Sequence, residues 1–219
     1  MEIIETIIET RQGSIKVVKY NKPSRKNAID ENMYLRVMNI LNSAATDDDI
    51  SVMVLTGSGD FYSSGNDFTA MALKPPLESN FKTVLYDYIK AFITFPKLLV
   101  AIVNGPAIGI AATTLALCDL VFASENSYFY TPFTKLGIVA EGCSTFTFPR
   151  LIGERKEIQS EVWDKIAEVS KLPTHSVSLS KKLLKGVLQD ELLSANKTEI
   201  HALTEIWKVG LNESNRSKL

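Results

Sequence analysis

Two short apolar runs, residues 52–55 and 98–103, each lead to a glycine-punctuated turn, and that pairing constrains the fold more than any other feature. The turns read S-S-G-N-D-F (63–68) and N-G-P-A-I-G-I (104–110). A run this short without a polar interruption predicts a strand buried on both faces. Glycine just beyond it lets the chain turn sharply. Each turn leads towards a helix-compatible stretch, so each can present unpaired backbone N–H groups. Two such donors converging on one oxygen form an oxyanion hole, and acyl transfer or enolate formation needs one. The chain is an enzyme candidate before any side chain has a role.

The remaining pattern is α/β. Residues 3–10 and 14–20 predict a hairpin around Arg11-Gln12-Gly13. Over 29–41, Met33, Leu35, Val37, Met38, Ile40 and Leu41 recur at helical spacing, with Asp30 as the cap. Residues 70–80 predict a mobile surface loop, and 81–95 a helix buried through Val84, Leu85, Tyr88, Ile89 and Phe92. A small-residue helix over 110–117 precedes strands at 120–123 and 128–130. Strands alternating with helices predict a mixed or parallel sheet. From Glu154 onward apolar and charged residues interleave at helical period, around 162–169, 179–188 and 200–207. The expected division is a core over 1–153 and a helical region over 154–219, packed on that body or on a neighbouring subunit.

A net charge of −1 over 219 residues argues against nucleic acid or an anionic membrane as partner. N-K-P-S-R-K (21–26) is a candidate basic patch. Cys118 and Cys143 give neither a disulfide framework nor a metal spacing, and His175 and His201 both fall in the helical region, so no metal is expected. No apolar run reaches the roughly 18–20 residues that span a bilayer. Ser217-Lys218-Leu219 is a peroxisomal address when free and terminal, which predicts the peroxisome matrix and an import receptor as partner.

The turns and their spacing resemble the crotonase (enoyl-CoA hydratase/isomerase) superfamily. The likeness runs through N-K-P-S-R-K-N-A-I-D (21–30), F-Y-S-S-G-N-D-F (61–68), V-N-G-P-A-I-G-I (103–110) and L-G-I-V-A-E-G-C-S (136–144). Within it, the loop T-P-F-T-K-L-G-I-V-A-E-G-C-S is similar to that of the peroxisomal Δ3,Δ2-enoyl-CoA isomerases. The resemblance implies a spiral of ββα repeats with a helical C-terminal region, assembled as a homotrimer. The substrate implied is a fatty enoyl-CoA thioester. Coenzyme A is then part of the substrate and no separate cofactor is needed.

Carried onto this chain, the superfamily's oxyanion donors fall on the main-chain N–H of Asn66 and Ile110, directly after Gly65 and Gly109; their side chains need not be special. The two glutamates with which hydratases add water correspond to Thr113 and Phe133, so hydration is disfavoured. Glu141 stands where the similar isomerases carry their single catalytic glutamate. Following Ile138-Val139-Ala140, it is expected in a poorly solvated pocket that raises its pKa. One base can take a proton from C2 and return it at C4. Arg25 and Lys26 are candidates for the coenzyme A phosphates. Ser63, Ser64 and Asp67 would shape the first turn or contact pantetheine and adenine, and Phe68, Met71 and Phe133 would line the acyl site.

One departure stands out. Members of the superfamily usually continue after Gly153 through roughly 30 residues that form a helix and a second connection, whereas Gly153 here meets Glu154 directly. Losing a core helix would uncover apolar surface, so a stretch left out of the chain as read is the expectation. Two rival functions stay open: a non-catalytic acyl-CoA-binding scaffold of the same fold, and a hydratase.

Overall fold

The computed structural model describes residues 5–69, 80–151, 166–167, 170–171 and 173–216. A five-stranded sheet runs in the order β1-β2-β3-β4-β6, built from Ile7–Gln12 (β1), Ile15–Tyr20 (β2), Val52–Gly57 (β3), Leu98–Val103 (β4) and Leu120–Ala123 (β6). β1 and β2 form the expected antiparallel hairpin, with Ile7 opposite Tyr20, and β2, β3, β4 and β6 are parallel. The first strand begins at Ile7, and residues 3 and 4 of the predicted strand lie outside the described residues.

Alternation along β3 sends successive side chains to opposite faces. Met53 and Leu55 join the main core, while Val52 and Val54 pack with Ile15, Val100 and Ile166 on the other face. Burial of both faces explains why β3 and β4 carry no polar alternation. Helices α1 (Glu31–Thr46) and α2 (Phe81–Thr94) cover the main-core face through Met33, Tyr34, Val37, Leu85, Tyr88 and Phe92. The Asp30 carboxylate accepts from Met33 N at 3.1 Å and caps α1, as its position predicts.

The small-residue segment splits into α3 (Ile110–Thr113) and a 3-10 turn over Thr114–Leu117. A second, shorter sheet pairs β5 (Ala107–Ile108) with β7 (Phe129–Tyr130). Bridges Ile29–Asn66 and Ser63–Ala107 extend this row of parallel contacts beside the C-terminal ends of the main strands. Helix α4 (Ser144–Leu151) follows the loop of Glu141.

The C-terminal helix departs from expectation. The segments around 179–188 and 200–207 are one helix, α5 (Thr174–Arg216). Pro173 sits just before its first residue, and no proline interrupts it thereafter. Its residues Leu192, Ile200 and Leu203 enter the main core. The expected loop over 70–80 and the terminal Ser217-Lys218-Leu219 lie outside the described residues, apart from Asn80 at the foot of α2.

Candidate active site

The two glycine turns lie against each other. Ser63 N donates to Pro106 O at 3.2 Å and Ile108 N to Ser63 O at 3.0 Å. Gly65 has φ 83°, and a Cβ there would stand 2.5 Å from Ile108 O. Only glycine allows this approach. On its other side Gly65 O accepts from Ile29 N at 2.8 Å, and Asp67 N reaches back to Ile29 O at 2.9 Å. Asn66 N, between them, donates to none of these acceptors. Gly109 (φ 59°) precedes Ile110, the first residue of α3, whose N–H has no intrahelical acceptor. The residues after both glycines thus carry amides that the fold leaves unspent among the described residues.

A third turn closes the site. Gly142 (φ 68°) is packed so tightly that a Cβ would stand 2.2 Å from Thr113 Oγ1 and 3.1 Å from Ile110 Cδ1. The residue before it, Glu141, is 1% exposed. Its Oε1 accepts from Asn66 Nδ2 at 3.0 Å, and the Tyr34 hydroxyl donates to Asn66 Oδ1. Tyr34 is itself fully buried, ring to edge with Tyr88 at 4.6 Å between centroids. Burial, then the nearby carboxyl of Glu199, push Glu141 up to about 8, and the Asn66 hydrogen bond pulls the other way. A carboxyl poised in this range is suited to exchange a proton near neutral pH.

The chain that carries this buried carboxyl has known relatives. The enoyl-CoA hydratase/isomerase family model matches residues 10–203. The chain belongs to that family. Enoyl-CoA delta isomerase 2 of Homo sapiens is 35% identical over 237 residues, covering 93% of this chain and 60% of the human protein. This chain therefore spans about three fifths of that relative's length. Peroxisomal enoyl-CoA delta isomerase 3 of Mus musculus is 36% identical, covering 91% of this chain and 73% of the mouse protein. The fold matches a crystal structure of a putative enoyl-CoA hydratase/isomerase from Acinetobacter baumannii, with TM-score 0.86, 22% identity and full coverage of both chains.

The alignment with the human relative contains positions that carry no residue of this chain. The 237 positions aligned with the human relative hold 93% of 219 residues, about 204, leaving about 33 positions with no residue here. The chain is continuous from Gly153 to Glu154.

The structure brings Gly65, Asn66, Gly109, Ile110 and Glu141 together. Thr113 lies against Gly142 and donates to Ile110 O at 3.2 Å, so the Glu141 turn fills the space in front of it. Phe133 is buried and Phe68 is 47% exposed; Met71 lies outside the described residues. Asp67 pairs with Lys22 at 2.9 Å and Arg25 at 3.4 Å, which ties the basic segment to the first turn. Arg25 also donates to Thr69 Oγ1 at 2.8 Å, and Lys26 lies 5.0 Å from the Phe61 ring centroid. Ser64 N bonds Lys26 O at 2.9 Å, while Ser63 Oγ bonds Asn27 O at 2.7 Å.

Three contributors were not foreseen. The Asn66 side chain, expected to be incidental, links Tyr34 to Glu141 and is corrected on that point. Tyr34 gave no signal beyond helical spacing. Glu199 did: Leu192, Asn196, Glu199 and Leu203 follow one another at three- and four-residue steps, which puts two polar residues on a buried stripe.

Proposed function

We propose that this chain moves a double bond from C3–C4 to C2–C3 of a fatty enoyl-CoA. Ionised Glu141 takes the proton from C2, and the electron pair passes into the thioester to form a dienolate. The N–H groups of Asn66 and Ile110 face the charge that develops on the thioester oxygen, each worth about 3 kcal/mol of barrier. Glu141, now a carboxylic acid, returns the proton at C4, and the electrons settle as the C2–C3 double bond. No water and no second carboxylate facing the substrate are required, which agrees with Thr113 and Phe133 where hydratases need glutamates. The observation that carries the reading is the buried Glu141 carboxyl held by Asn66, the residue whose own amide belongs to the first turn.

Coenzyme A would lie along the first turn, with Arg25 and Lys26 at its phosphates, Ser64 and Asp67 fixing the turn, and Phe68 and Phe133 towards the acyl chain. A peroxisomal site of action and a homotrimer complete the proposal. The former draws on the name of the mouse relative. The test is incubation with a 3-enoyl-CoA while absorbance follows the conjugated thioester. Glu141→Gln is expected to lose at least about 100-fold in kcat and to keep its affinity for coenzyme A. Equal turnover by that variant would remove Glu141 from the mechanism, and absence of turnover by the wild type would return the scaffold reading.

A further inference from the structure

The turn that carries Glu141 is strained. Gly142 and Cys143 both have positive φ (68° and 60°), and Cys143 is not glycine, so the surroundings must hold it there. The holding group comes from α5, 56 residues further on. Glu199 Oε2 accepts from Cys143 N at 2.7 Å, and Oε1 accepts from Thr145 N at 2.9 Å and Thr145 Oγ1 at 2.5 Å. Cys143 Sγ meets Leu192 O at 3.3 Å on the same helix. These amides open α4 and would otherwise lack acceptors.

We propose that Glu199 is a positioning residue for Glu141: its carboxylate ties down the turn that aims Glu141, and its negative charge strengthens Glu141 as a base. This rests on Glu141 being the base. Two carboxyls buried side by side cannot both ionise cheaply. Glu199 has three donors that favour its charged form, whereas Glu141 has one, from Asn66. The charge therefore resides on Glu199 and the proton on Glu141 until the pH rises. The other titratable groups that face this pair among the described residues are Tyr34, from α1, and Cys143, on the same turn. Burial holds the Tyr34 hydroxyl well above its ordinary range, and burial and Glu199 push the Cys143 thiol up to about 12, so neither titrates with the pair. Glu199 does not need to touch substrate to act.

The experiment is the pH profile of kcat/KM with a 3-enoyl-CoA for the wild type, Glu199→Gln and Thr145→Val, with Glu141→Gln alongside. Glu199→Gln keeps an accepting oxygen and removes the charge; its acid limb is expected about one pH unit or more lower. Thr145→Val changes an exposed side chain and removes one donor to Glu199, so the proton moves partly from Glu141 to Glu199. Its limb is expected to fall in the same direction by less, and this variant carries the test if Glu199→Gln does not fold. KM should change little in either. An acid limb that stays in place or moves upward in the folded variants, with Glu141→Gln inactive, overturns the role of Glu199 alone. Wild-type turnover by Glu141→Gln would overturn the underlying reading instead.

Discussion

Asn66 does two jobs with different atoms. Its main-chain N–H belongs to the first turn, while its side chain accepts from Tyr34 and donates to Glu141. Asn66→Ala removes only the second job, because the backbone amide survives the substitution. The Tyr34 hydroxyl would be left buried without its acceptor, which costs about 1–3 kcal/mol, read as a lowered midpoint in urea unfolding. The lost donor also favoured the ionised form of Glu141, so the acid limb of kcat/KM should move to higher pH, opposite to Glu199→Gln. A variant with normal stability and an unmoved limb would mean that the relay from Tyr34 has no energetic weight. None of these contacts is local: they join residues 32 and 75 apart in sequence. A motif can mark Asn66 as the residue after a turn glycine. It cannot say which distant side chains its amide group will meet.

At the scale of elements, the closeness of the two turns sets the demand on glycine. A Cβ at Gly65 meets Ile108 O at 2.5 Å, whereas one at Gly13, in the β1–β2 turn with similar φ, meets nothing within 4 Å. Gly65→Ala should therefore be the more damaging, by about 1–3 kcal/mol from forced backbone movement, and should lower the proposed turnover of a 3-enoyl-CoA; Gly13→Ala should pay only for its left-handed φ. Thermal unfolding of the two variants compares them directly. On α4 the opposite outcome is expected. Thr147 Oγ1 is buried with no hydrogen-bond partner among the described residues, so Thr147→Val removes an unsatisfied group at constant shape and should hold or raise the melting temperature. β4, buried almost throughout, falls on the residues its apolar run predicts, and so does β6, which is only partly covered. The single α5 was not legible in the sequence, because its apolar residues form separate stretches and spacing alone does not show that helix continues between them.

For the molecule as a whole, α5 is both a wall of the core and a support of the site, since Leu192, Ile200 and Leu203 pack inside while Glu199 holds the Glu141 turn. That link makes stability depend on pH in a direction unusual for carboxyls. Glu141 is raised from 4.5 to about 8, first by burial and then by Glu199, and Glu199 is raised by its own burial. Below pH 4.5 folded and unfolded chains both hold the Glu141 proton, and its full contribution to stability is present. Between 4.5 and about 8 the unfolded chain has released that proton and the folded chain has not, so rising pH favours unfolding. The slope from this one group is at most about 1.4 kcal/mol per pH unit. Other carboxylates titrate too, so the informative quantity is the difference between wild type and Glu141→Gln, which cannot release that proton. Urea unfolding at pH 5, 6.5 and 8 should show the variant gaining on the wild type as pH rises. Parallel curves would mean that Glu141 titrates in the folded chain much as it does in water, and that its burial has no thermodynamic consequence.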